Sequence, residues 1–133
     1  MKYAFAAVIL LLSACQKTPQ APASFQERVA AAEAQENSPT GAPYVGAVVK
    51  EHGADFNHFI GACYGQSGLE KDAFTLVADI RADGEFGNIA VKPETAQTRC
   101  YAAKIDALRT NAPRPSGFED TPFPLVINVN YVK

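Results

Sequence analysis

The chain has 133 residues, 47% of them hydrophobic, with 12 basic against 14 acidic side chains and a formal net charge of −2. That length supports one small domain. The acidic balance excludes the basic footprint of a nucleic-acid binder.

Lys2 opens an apolar run from Tyr3 to Leu12, closed by Ser13 and Ala14 ahead of Cys15. About ten apolar residues are too few for a bilayer span, which needs roughly twenty. The run therefore reads as a secretory leader. Its last four residues, Leu12-Ser13-Ala14-Cys15, resemble the lipobox of bacterial lipoproteins. That resemblance implies a cleaved signal peptide over residues 1–14 and a lipid on Cys15. It also implies an anchor on the periplasmic face of the outer membrane, because Gln16 follows the cysteine where Asp often marks inner-membrane retention. The envelope is oxidising, so disulfides persist there. In that compartment Cys63 and Cys100 are expected to pair, with two separate buried thiols as the alternative.

Residues 15–42 read as an anchored tether. Pro19 and Pro22 fall in a stretch without large apolar side chains. Ser24 with Glu27 three residues later is a capping box, predicting a helix over 25–36. The apolar content of that helix is mostly alanine, so it is expected to be loosely docked or solvated. Asn37 to Gly41 breaks it.

The folded domain is expected over 43–133. Val45, Val48, Val49, His52, Phe56, Phe59, Ile60 and Cys63 recur at helical spacing. The stripe reads as one helix, with Gly53 as an optional break that Asp55 could recap, and Gly65 and Gly68 end it. Phe74, Leu76, Ala78 and Ile80 then alternate with Thr75, Val77, Asp79 and Arg81, giving a strand with one buried face. Ala82-Asp83-Gly84 is a turn signal, and residues 86–91 form the return strand before Lys92-Pro93. A second helix follows from Glu94 or Thr95 to about Arg109. Its stripe is Cys100, Ala103, Ala107 and Leu108, with Tyr101 and Ile105 beside it. Asn111 to Pro122 is a loop. In the closing strand Leu125, Ile127, Val129 and Tyr131 face inward, and Val126, Asn128, Asn130 and Val132 face outward. The fold class is α+β: a small three-stranded antiparallel sheet with two helices packed on one face. Antiparallel pairing throughout requires strand order 2-1-3, which leaves the final strand at an edge.

This order and three of its segments resemble the TonB C-terminal-like domains, in particular their cysteine-bearing (AgmX/PglI-like) branch. The segments are Val48-Val49-Lys50-Glu51-His52 followed by Ile60-Gly61-Ala62-Cys63-Tyr64, then Asp79 to Phe86, then Thr95 to Leu108 with Cys100 inside. The resemblance implies the α-β-β-α-β fold and capture of a peptide by strand addition. Two features depart from it. Asn111-Ala112-Pro113-Arg114-Pro115 stands where members often carry an aromatic-proline pair. A lipid anchor and short tether stand where an energy transducer has an inner-membrane helix and a long linker, so a transducing role is not expected.

No constellation reads as catalytic or cofactor-binding. His52 and His58, six residues apart on a helix, point about 240° apart and cannot share a metal. Asp79, Asp83 and Glu85 suit a hairpin, with Asp83-Gly84 in its turn. Tyr64 and Tyr101 are expected to pack around the cysteines. The reading is therefore a non-enzyme whose partner is an envelope protein or peptide. The partner would dock on the final strand through Val126, Asn128, Asn130 and Val132, or on the preceding loop through Arg114 and Phe118. The alternative is an inhibitor or immunity lipoprotein that neutralises a toxin or hydrolase. A weaker one is a structural component of a secretion or pilus machine. Self-association through the edge stays open.

Overall fold

A computed structural model describes residues 21–65 and 73–130. Cys15, Gly68, Tyr131 and Val132, named above, lie outside them.

The first helix, α1 (Phe25–Glu36), starts where its capping box predicts. The Ser24 hydroxyl accepts the Glu27 N–H at 3.2 Å, and the Glu27 carboxylate accepts the Ser24 N–H at 2.9 Å. Asn37 closes the helix, its side-chain amide donating to the Glu33 carbonyl at 2.8 Å. A tight turn leads into α2 (Gly41–Tyr64). Gly41 is packed so closely against the end of α1 that a Cβ there would lie 2.0 Å from the Gln35 carbonyl oxygen. Pro43 sits in the first turn of α2, where its missing N–H costs no helical bond.

Helix α2 is the single helix that the stripe indicates, ends before Gly65 as expected, and runs unbroken through Gly53. A glycine inside a helix costs about 1 kcal/mol. Tyr44 and Val48 on the same stripe are buried, and each full burial of a large apolar side chain gains about 1.5–3 kcal/mol. The stripe therefore outweighs the glycine. Val49 is not part of it and is half exposed.

The three strands are β1 (Phe74–Ile80), β2 (Phe86–Lys92) and β3 (Phe123–Val129), all antiparallel in the order β2-β1-β3. That is the expected topology. The hairpin turn needs Gly84, whose φ is +87° and whose Cβ would lie 2.2 Å from the Thr110 carbonyl oxygen. Between β2 and β3 lies α3 (Ala96–Asp106), capped by Thr95 and Thr98. Tyr101 and Ile105 are its buried residues, whereas Ala103 and Ala107 are exposed. The stripe is thus rotated from the expected one, because the larger side chains take the core.

One face of the sheet carries the main core. Leu76, Ile80, Phe86 and Phe123 pack there with Tyr44 and Val48 of α2 and Tyr101 and Ile105 of α3. Cys63 and Cys100 form the expected disulfide, joining the last turn of α2 to α3 with Cα atoms 5.7 Å apart. Tyr64 and Tyr101 both contact the ring of Phe74, at 6.2 and 5.1 Å between centroids.

The two expected helices, α2 and α3, do share one face. The other face corrects the expectation that the 25–36 helix is loosely docked or solvated. Helix α1 is docked there, burying Ala32 against Val77 and Val126, with Phe25, Val29 and Ala90 around them. Val77 pairs with Ala90 on one side and Val126 on the other. The three make an apolar row across the sheet that alternation along single strands does not reveal. Small alanines let the helix approach that row closely. Among the described residues, no helix is long and apolar enough to cross a membrane.

Candidate partner-binding edge

Among the described residues nothing pairs with the outer edge of β3. The β1–β3 ladder holds one register from Ile80 opposite Phe123 to Phe74 opposite Val129. Pro124 lies inside it and has no N–H. Its backbone must therefore face away from β1, the position that edge strands give to proline. Residues two apart share a side in an antiparallel ladder. The N–H and C=O groups of Val126 and Asn128 thus point outward, available to another strand.

The side chains of these residues are a separate matter. Val126 was expected on an open outer face and is instead buried beneath α1. The physical reason is the apolar row just described, which needs a cover. Asn128 is exposed and its side-chain oxygen accepts the Thr75 hydroxyl at 2.8 Å. Asn130 is exposed. The edge therefore offers backbone and the amide side chains, and its apolar side chain is already used.

The loop before β3 also differs from expectation. Arg114 points inward. It donates to the Phe118 carbonyl at 3.1 Å, the Tyr44 hydroxyl at 3.0 Å, the Ile80 carbonyl at 3.1 Å and the Thr121 carbonyl at 2.6 Å. A guanidinium offers five N–H donors in a fixed fork, and the proline-rich loop leaves carbonyls that need them. Burial raises the Tyr44 phenol above its ordinary pKa, and the Arg114 contact partly offsets that rise. Phe118 meets Phe123 edge to face at 5.0 Å. Both residues expected to reach a partner therefore fix the loop, and the exposed surface is the tip around Ser116, Gly117, Glu119 and Asp120.

The start of the loop is fastened to α2. Glu51 accepts the Thr110 hydroxyl, the Asn111 N–H at 3.1 Å and the Asn111 side-chain amide at 3.1 Å. The hydroxyl bond, then the backbone bond, hold its carboxyl below the ordinary range. His52 is buried beside it, with Nδ1 3.0 Å from Asp55 and Nε2 3.0 Å from the Arg109 carbonyl. It is the buried helix histidine that its place on the stripe predicts. His58 is exposed.

The three hairpin acids do not converge. Asp83 accepts the Glu85 N–H at 3.0 Å, and Glu85 pairs with Arg81 at 2.8 Å. Asp79 points to the α1 face, where it accepts the Asn88 side-chain amide at 2.7 Å and lies 3.8 Å from Arg28. Sequence reasoning missed Tyr44, the Glu51 clamp and this last cluster. Only Tyr44 carried a signal, standing four residues before Val48. No family model, curated protein or solved structure matches the chain.

Proposed function

We propose that this is a lipid-anchored envelope module that holds a protein or peptide by adding a strand to the free edge of β3. The observation that carries the reading is the parity of Pro124, which turns the backbone groups of Val126 and Asn128 outward on an edge strand. Strand addition draws affinity from such main-chain groups and specificity from adjoining pockets. The compartment rests on Leu12-Ser13-Ala14-Cys15, and the Cys63–Cys100 disulfide agrees with an oxidising one. The α-β-β-α-β core accords with a TonB C-terminal-like domain. On this reading the protein is a binding module and not an enzyme.

The test is Asn128→Pro. The N–H it removes faces outward, so circular dichroism and melting should change little, while capture of an envelope partner by the lipidated protein falls about tenfold. A folded Asn128→Pro protein that still captures its partner at the original strength overturns the edge as the site.

A second reading, an inhibitor that inserts a loop into a toxin or hydrolase, is favoured by one observation. The 111–122 loop is fastened at its start by Glu51 and along its length by Arg114. Such preorganisation lowers the ordering cost of binding. Partner capture that survives Asn128→Pro and is lost with changes at Glu119 and Asp120 would favour it.

A further inference from the structure

Beside α1 lies a cleft of about 470 Å³, bounded by the start of the helix and by the β1–β2 and β3 strand ends. That is within the usual size of small-ligand sites, about 300–1,000 Å³. Pro22, Ala31, Val77 and Pro124 make its walls apolar. Its polar groups are Glu27, Arg28, Asp79 and Asn88.

The cluster is built by an irregularity in β2. Asp79 pairs with Gly87 while Val77 pairs with Ala90, so β2 carries one extra residue opposite β1. Asn88 occupies that bulge with φ +48°, in the left-handed region. Bulges re-aim groups next to functional sites, and an uncommon backbone conformation is a lead to function. Here the bulge turns the Asn88 carbonyl to accept from Nη2 of Arg28, and its side chain donates to Oδ2 of Asp79.

Much bonding capacity is left over. The Arg28 side chain is only 17% exposed, yet among the described residues its guanidinium bonds through Nη2 alone. The Arg28–Asp79 separation of 3.8 Å is a loose ion pair and not a hydrogen bond. Oδ1 of Asp79 and Oε1 of Glu27 accept no bond from the described residues. A mostly buried cation with spare donors thus stands beside two carboxylates with spare acceptors, against apolar walls.

We propose that this cleft binds an α-amino acid with an apolar side chain. Its carboxylate would take the free Arg28 N–H groups, and its ammonium, with three donors, would sit between Asp79 and Glu27. The side chain would lie along Ala31 and Pro124. Charge-assisted bonds of this kind are among the stronger ones in proteins.

The test is titration of the isotope-labelled full chain with free leucine, in both enantiomers, followed by amide NMR. Saturable shifts are expected at Ala31, Val77, Asp79 and Asn88 at millimolar ligand. N-acetyl-leucine and leucine amide, each lacking one charge, should bind about tenfold more weakly or worse. Asp79→Asn should weaken leucine by a similar factor. Because Asp79 also helps to seat α1, Glu27→Gln is the second variant. It keeps the capping box, and it should weaken binding severalfold with an unchanged melting curve. Absence of saturable shifts overturns the site, as does equal binding of the blocked compounds. Unchanged affinity in a folded Glu27→Gln protein overturns the ammonium position, and with it the proposal.

Discussion

The two faces of one small sheet are held by different chemistry. Beneath α2 and α3, large side chains such as Phe86, Phe123, Leu76 and Tyr101 are fully buried and a disulfide ties the two helices. Beneath α1, the buried set is only Ala32, Val77 and Val126, with Phe25, Val29 and Ala90 partly buried around it and polar or charged contacts from Arg28 beside it. Hydrophobic stabilisation scales with apolar area removed from water, about 25 cal/mol per Å². The first face must therefore carry most of the folding energy. The second is a docked helix with a polar cleft beside it, the kind of low-stability region where ligand-responsive elements are found. The main core and the polar cleft thus lie on opposite sides of one sheet, and β3 contributes to both.

The largest expected effect comes from breaking the first face. The Cys63–Cys100 bridge closes a loop with a sequence separation of 37 that contains the whole hairpin. Loop-closure entropy gives about 4 kcal/mol for a loop of that length, a large share of the total stability of a domain this small. Chemical unfolding of the Cys63→Ala, Cys100→Ala double variant should show a loss near that size. A loss below about 1 kcal/mol would mean that packing around Phe74 suffices without the bridge.

A smaller effect, confined to the second face, should follow from Val126→Asp. This change sets a carboxylate into the apolar row beneath α1, at a cost of about 1–3 kcal/mol. The helix should leave and the core should stay. Hydrogen exchange is then expected to show α1 amides losing protection while α3 amides keep theirs. Loss of protection in both helices together would show that the two faces form one cooperative unit, and the division drawn above would fail.

The difference between the faces also governed what could be read from the sequence. The capping box at Ser24, the alternation of Phe74 to Ile80, the turn at Gly84 and the 2-1-3 order were legible because each is a local pattern or follows from pairing rules. The docking of α1 was not legible. Its alanines give almost no amphipathic signal, and the row it covers takes one residue from each of three strands, Val77, Ala90 and Val126. Arg114 and Phe118 were read as surface because they sit in a proline-rich loop. Their roles depend on carbonyls and rings brought together only by the fold. Asn88 carried no signal, since nothing in the residues around it announces a bulge.

The smallest effect concerns acid, and it belongs to the first face, where Glu51 ties the 110–111 segment to α2. Its carboxyl is held below the ordinary range chiefly by the Thr110 hydroxyl and the Asn111 N–H. A group with a depressed folded pKa adds stability that is fully present above its unfolded value, about 4.3 for glutamate. That stability is lost as pH falls through the lower, folded value. The clamp should therefore be intact at neutral pH and open progressively in acid below the usual glutamate range. Glu51→Gln should lower the melting temperature slightly at pH 7 and flatten the acid limb of the stability curve. NMR should place the first acid-induced changes at Thr110 and Asn111, ahead of any at Val77 or Val126. If the α1 contacts change first instead, the clamp is not the acid-sensitive element, and the acid response belongs to the weaker face.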